Sequence, residues 1–265
     1  MDDYMKTNQA LWDEYAQINS QSRMYDLAGF RAGRNALHAL EIEELGPVAG
    51  KSLLHLQCHF GMDTLTWARL GAQVTGVDFS PEGIRLARGL AAELNLPARF
   101  INCNIYDLPE QLHETFDVVF TSYGVLCWLP DIPRWAQIAA SFVKPGGVFY
   151  IAEFHPGAYI FSDKASEWKT EFDYFNSQTM AYPVEGSYAD HTAVTQTRTS
   201  YEWNYPLGTV VSSLSAAGLR VEFLHEFPHS VFQEFPFLVE EEDGIYRVPA
   251  GMPQVPLLFS IRAAK

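Results

Sequence analysis

Positive charge is scarce in this chain. Its 265 residues carry 18 Lys and Arg against 32 Asp and Glu, a formal charge of −14. A polyanion would be repelled by that balance unless cations clustered, and Arg85, Arg88 and Arg99 lie scattered. Nucleic acid is therefore excluded as an expected partner. The densest charge run is acidic, Glu240-Glu241-Glu242-Asp243, and reads as a solvated loop. Cysteine is scarce too. Cys58, Cys103 and Cys127 form an odd set with no Cys-x-x-Cys spacing, each in or beside an apolar segment. They read as buried thiols in a reducing cytoplasm, and neither a disulfide nor a metal site is expected. No apolar run reaches the roughly 18 to 20 residues of a membrane span, so no membrane partner is expected. The start, Met1-Asp2-Asp3-Tyr4-Met5-Lys6, lacks the basic and apolar parts of a secretory signal. The expected location is cytoplasmic.

Apolar residues, by contrast, make up 48% of the chain, enough for a sizeable core. The length fits one α/β domain with elaborations. Residues 8–46 read as helical, with Leu11, Tyr15 and Ile18, then Leu37, Leu40 and Leu45, near helical spacing. A regular alternation follows. Strands are predicted at 52–57, 73–78, 100–105, 116–122 and 148–153. Helices are predicted at 63–70, 81–95 and 132–142, with Pro81 at a first helical position, where its missing N–H costs nothing. Strands alternating with such helices imply right-handed crossovers and a mostly parallel sheet. Their continuous apolar runs suit a sheet covered on both faces. Residues 154–205 break the rhythm and are rich in aromatics, with one alternating stretch at 195–201. A helix at 206–217 and strands at 219–227 and 256–263 close the pattern.

In an open parallel sheet, ligands bind beyond the carboxyl ends of the strands, where the strand order reverses. The first strand runs Leu53-Leu54-His55-Leu56 into the loop Gln57-Cys58-His59-Phe60-Gly61, and a helix follows. The backbone N–H groups of such a loop face a ligand. Asp78 lies 21 residues beyond Gln57, at the end of the second strand. An acidic residue at that distance accepts the hydroxyls of a ribose. The competing reading is a helix cap, for which Ser80, directly before Pro81, is better placed.

Leu-Leu-His-Leu-Gln-Cys-His-Phe-Gly-Met-Asp-Thr-Leu, then Val-Thr-Gly-Val-Asp-Phe-Ser, Phe-Asp-Val-Val-Phe-Thr-Ser and Lys-Pro-Gly-Gly resemble the successive motifs of class I S-adenosylmethionine (SAM)-dependent methyltransferases. The resemblance covers roughly residues 50–153, with weaker support from 206–227 and 256–264. It implies an α/β fold: a Rossmann-like, mostly parallel seven-stranded sheet flanked by helices. Within a single domain, 1–265, it implies an N-terminal helical lid (1–50), a SAM-binding core (51–153), an aromatic-rich substrate-side insertion (154–205) and a completion of the sheet (206–265). The family has three glycines in its first loop, and this sequence places Gln57 and His59 at the first two, leaving Gly61. Glycine permits positive φ and close backbone approach. Gln57 and His59 must adopt that backbone or leave more room, and their side chains then line the methionine end of SAM. His55 stands where the family often has an acidic residue and reads as a satisfied strand residue.

The resemblance also implies that Asp78 and Phe79 meet the ribose side, that Asn104 and Ile105 reach the adenine, and that Ser122 lies beside the methionine part. Leu126 and Trp128 close over the adenine or pack. Tyr15 and Tyr25 of the N-terminal segment are candidates for the methionine end. Glu153 and His155, at the end of the fifth strand, are candidates for a base or a substrate contact. His155 is the catalytic candidate, because histidine titrates near neutrality. His191 is a weaker one. Methyl transfer needs alignment and exclusion of water, and a base only where the acceptor loses a proton. The expected activity is methylation of a small, partly apolar or aromatic molecule at oxygen or nitrogen. Two alternatives share parts of the pattern: a SAM-binding protein without transferase activity, and an NAD-dependent dehydrogenase. The second needs a glycine-rich pyrophosphate turn, which Gln57 and His59 oppose.

Overall fold

The computed structural model describes residues 2–176, 178–241 and 244–265, so Glu242 and Asp243 of the acidic run lie outside the described residues. Three helices come first: α1 (Asp3–Gln21), α2 (Leu27–Arg31) and α3 (Ala39–Leu45). The alternating core follows as β1 (Ser52–Leu56), α4 (Met62–Arg69), β2 (Gln73–Asp78), α5 (Pro81–Glu93), β3 (Ala98–Asn102), β4 (Phe116–Ser122), α6 (Ile132–Phe142) and β5 (Val143–Phe154). The remaining chain adds β6 (Met180–Pro183), β7 (Thr199–Glu202), α7 (Leu207–Ala216), β8 (Arg220–Phe227), β9 (His229–Ser230), β10 (Val239–Glu240), β11 (Tyr246–Arg247) and β12 (Leu258–Ala264). No helix among the described residues is long and apolar enough to cross a membrane.

Seven strands form one sheet in the order β3-β2-β1-β4-β5-β12-β8, as expected for the Rossmann-like class. β12 is antiparallel to both its neighbours, and the first five strands pair in parallel. The order reverses at β1, with β2 on one side and β4 on the other. The cleft beyond the ends of β1 and β4 is therefore where a ligand is expected.

The apolar strands are covered on both faces. Leu54, Leu56, Val119, Phe149 and Ile151 pack with Trp135, Ile138 and Phe142 of α6 and Leu214 of α7. Leu53, Phe120 and Tyr150 pack with Trp67 of α4 and Leu45 of α3. Each large side chain so buried contributes roughly 1.5–3 kcal/mol. Ser80 accepts the Gly83 N–H as the cap of α5, with Pro81 next, so the cap is made without Asp78.

The structure departs from the periodicity in four places. The helical stretch 8–46 is three helices, broken where Asp26 adopts φ +43° and caps α2 through the Gly29 N–H. β3 ends at Asn102, because Asn104 takes the Tyr106 N–H at 3.0 Å and opens a 3-10 turn. The alternating stretch at 195–201 yields a strand only from Thr199, which pairs with β6. A small sheet, β10-β11-β9, is built from segments too short to carry a periodicity.

Gly76 makes one of the close approaches inside the core. A Cβ there would lie 2.8 Å from the Phe100 ring and 2.9 Å from Cys58 Sγ. Gly76→Ala is expected to destabilise the fold by about 1–3 kcal/mol in urea unfolding, through overpacking. In a Phe100→Leu background the same change should cost less than half as much. An equal cost in both backgrounds would refute the steric account.

Candidate active site

The loop after β1 takes an unusual backbone. Gln57 has φ +58° and His59 φ +51°, and Gly61 follows at +82°. The two non-glycine residues thus adopt a left-handed conformation that ordinarily favours glycine. An L-residue there costs roughly 1–2 kcal/mol, so the surroundings must hold it. The Cys58 N–H donates to Val77 O, the Gly61 N–H to Cys58 O, each at 2.9 Å, and the His59 N–H to Asp78 Oδ2 at 2.8 Å. Gln57 Nε2 donates to Val125 O at 3.0 Å. Gly61 alone has no room for a side chain: its Cβ would meet the Phe100 ring at 2.8 Å and Ala87 at 2.9 Å.

Asp78 closes this loop from the next strand. Its Oδ1 accepts the Ser80 N–H and its Oδ2 the His59 N–H, both at 2.8 Å. Burial pushes its carboxyl up to about 7, against those two donors, and Asp13 adds to the rise. Phe79 offers its backbone oxygen to Gln9 Nε2 of α1 at 2.6 Å and to Asn102 Nδ2 at 2.9 Å. Two residues expected at the adenine end have local employment. Asn104 Oδ1 accepts the Tyr106 N–H and so caps the 3-10 turn, with a second lone pair left over. The Ile105 side chain is buried in the core.

α1 and the insertion after β5 meet over this loop. The Trp12 ring lies 5.1 Å from the ring of His59 and 5.2 Å from that of Trp128, edge on to both. Tyr15 packs edge on against Trp12 and Tyr188. Tyr25 lies against His59 and Phe60 and exchanges a 2.5 Å hydrogen bond with the Tyr188 hydroxyl. Burial raises the hydroxyls of Tyr15, to about 12, and Tyr25. Asn19 joins all three parts: its Oδ1 accepts from the Ser187 hydroxyl and its Nδ2 donates to His59 Nε2 at 3.2 Å. His59 Nε2 is then the acceptor and Nδ1 carries the proton. Burial depresses this imidazole to about 3, so it stays neutral. Three buried polar atoms here lack a partner: Gln57 Oε1, His59 Nδ1 and Trp12 Nε1.

Beyond β4 and β5 the carboxylates dominate. The Ser122 hydroxyl faces Asp63 Oδ2 at 3.4 Å, and burial lifts Asp63 to about 6. Tyr123 and Gly124 are left-handed, at φ +36° and +69°. Glu153 accepts the N–H groups of Gly124, Val125, Leu126 and Phe154. Burial raises its carboxyl while those donors lower it. His155 accepts the Gly157 N–H on Nδ1 at 3.0 Å and so donates from Nε2 to Glu226 at 2.9 Å. Both His155 ring nitrogens thus have partners within the protein, as do both Glu153 oxygens. His55 is bonded to Thr64 and buried, as its strand position suggested. His191 is exposed. Sequence reasoning missed Asn19, Ser187 and Asp63. It also missed Glu41, 1% exposed, raised to about 8 by burial and with neither oxygen partnered.

Residues 53–147 match a family model described as a methyltransferase domain. A ubiquinone biosynthesis O-methyltransferase of Albidiferax ferrireducens is 35% identical over 133 residues, 48% of this chain and 52% of that one. This chain therefore spans about half the length of that relative. One of the same name from Xanthomonas euvesicatoria is 28% identical over 166 residues, 61% of this chain and 68% of that one. The solved SAM-dependent methyltransferase from Mesorhizobium loti shares the fold at a TM-score of 0.58 and 20% identity, over 84% of this chain and 94% of that one.

Asn19 supplies a test of how the cleft is closed. Asn19→Ala leaves His59 Nε2 and Ser187 Oγ without it, and should destabilise the protein by about 1–3 kcal/mol. Amide exchange over residues 184–190 should accelerate more than that of the β1–β5 strands. A uniform change across the molecule would show that Asn19 does not hold this contact.

Proposed function

We propose that this chain, which carries a class I SAM-dependent methyltransferase domain, transfers the methyl group of SAM to a small, partly apolar or aromatic molecule. The acceptor atom is oxygen or nitrogen, and the name of the relatives, O-methyltransferase, favours oxygen. One observation carries the reading: the left-handed run at residues 57, 59 and 61, bonded to Asp78 and bordered by unpartnered polar atoms.

Those atoms fit the two charged ends of a methionine moiety. Gln57 Oε1 is an acceptor suited to its ammonium group. His59 Nδ1–H is a donor suited to its carboxylate: burial keeps the ring neutral, and the Asn19 bond to Nε2 leaves the proton on Nδ1. Asp78 keeps a second lone pair on each oxygen for the ribose hydroxyls, with Phe79 beside it. Asn104 and Ile105 flank the adenine end and Ser122 the methionine end. Tyr15 and Tyr25 belong to the aromatic cover with Trp12, Trp128 and Tyr188, which keeps water out. When bound, SAM supplies a methyl group already activated by its sulfonium charge. The protein's task is then to align and enclose, and an enclosed aromatic cleft favours a small acceptor over a macromolecule.

Calorimetry with SAM, S-adenosylhomocysteine and NAD tests the cofactor. Micromolar affinity for the first two is expected, and binding of NAD without SAM would sink the reading. Labelled SAM incubated with a metabolite extract should yield a labelled small product; none, with SAM bound, would leave a binding protein without transferase activity.

Asp78→Ala should weaken SAM by about 2–4 kcal/mol, roughly 30- to 1000-fold, if both ribose bonds are charge-assisted. The sign of the pH dependence follows from the raised carboxyl. Only the ionised form accepts at both oxygens, so SAM affinity should fall as pH drops from 8 to 6, by up to about tenfold per unit. Asp13 and Cys58 face Asp78, and Asp63 titrates nearby at about 6. An Asp78→Asn variant should therefore be weaker and flatter above pH 6.5. The same slope in that variant would assign the titration to another group.

A further inference from the structure

We propose that Glu153 is a positioning residue, whose carboxylate holds the loop after β4 in the shape the cofactor cleft requires. The proposal rests on the methyltransferase reading, because the cleft it serves is the one assigned to SAM.

Glu153 lies near the end of β5 and is 3% exposed. Its Oε1 accepts the Gly124 N–H and the Phe154 N–H, the latter at 2.7 Å. Its Oε2 accepts the Val125 N–H at 2.7 Å and the Leu126 N–H at 3.0 Å. A buried carboxylate is tolerated when such bonds satisfy its lone pairs, and here backbone donors supply them. Three of the four donors are consecutive residues of one loop. That loop needs holding, because it begins with left-handed Tyr123 and Gly124. Non-glycine residues keep such a backbone only where the surroundings over-determine it.

The grip passes onward to the cofactor loop. The same Val125 whose N–H binds Glu153 offers its carbonyl to Gln57 Nε2 at 3.0 Å. Gln57 Nε2 is thereby fixed, and its Oε1 is left as the unpartnered acceptor. A chain of bonds runs from Glu153 through Val125 to Gln57. On the other side the Tyr123 N–H donates to Ala152 O at 2.8 Å, next to Glu153 in the strand. Both oxygens are needed, since each serves two donors. A glutamine of the same volume would turn an N–H₂ group toward two N–H groups and release one half of the clamp.

The test uses Glu153→Gln and Glu153→Asp in the full chain, read by calorimetry with SAM and S-adenosylhomocysteine, by amide exchange and by circular dichroism. The Gln variant should retain its secondary structure, exchange the amides of Gly124, Val125 and Leu126 at least tenfold faster, and lose tenfold or more in affinity for both ligands alike. The Asp variant keeps the charge on a shorter arm and should recover part of both losses. Faster exchange with unchanged affinities would overturn the proposal, as would loss of SAM affinity alone with S-adenosylhomocysteine unaffected. If the Gln variant does not fold, the Asp variant is read against wild type. Faster exchange of the three amides with weaker binding then supports the clamp, and unchanged affinity overturns it. Wild-type protein that binds neither ligand refutes the methyltransferase reading itself, a result separate from any difference between variants.

Discussion

The hydrogen bond from the His59 N–H to the Asp78 carboxylate is the contact on which the cleft depends. It joins the loop after β1 to the end of β2, at the place where the strand order reverses. Without an acceptor at that point, left-handed His59 would have little to hold it, and an ordinary backbone would carry its side chain elsewhere. With it, two side chains occupy positions where glycine would leave bare backbone. Residues 57 and 59 hold a left-handed backbone, and glycine would be one way to provide it. Here tertiary bonds from Asp78, Asn19 and Val125 provide it.

The alternation of strands and helices was legible because it rests on local rules. Pro81 after Ser80, the left-handed Gly61, and apolar runs of strand length each act within a few residues. The position of Asp78 at the end of β2 was legible for the same reason, since the spacing of two strand ends is set by the length of the helix between them. The polar residues at the ends of the later strands were not legible in this way. His155, Glu153 and Asn104 each carry chemistry that suits a site, yet each binds a backbone N–H close by in the chain. A sequence shows which groups a residue carries and does not show whether a neighbouring amide has already taken them.

The first helix gives a sharper case. Asn8, Leu11, Tyr15 and Asn19 lie on one buried face of α1, and two of the four are polar. In a globular helix that stripe would ordinarily be apolar. Asn8 pairs with the backbone of Tyr201 in both directions, at 2.6 and 2.9 Å, as a neighbouring strand would. Asn19 does the corresponding work at the loop after β1. A polar residue inside an apolar stripe was therefore the available signal, and it marks where the helix meets polar backbone instead of core.

The sheet order also fixes a sequence of events in synthesis. Among the described residues β8 pairs with β12 alone, and β12 lies between it and β5. As the chain is made from its amino end, β5 and β8 are complete while the strand that joins them has yet to appear. Until then β5 presents an open edge and β8 has no neighbour, the state in which strands pair with the wrong chain. The parallel strands β1 to β5 are complete before then, whereas the far edge of the sheet waits for residues 258–264. In that interval the edges of β5 and β8 are unpaired, and unpaired strand edges are what the fold must keep from other chains.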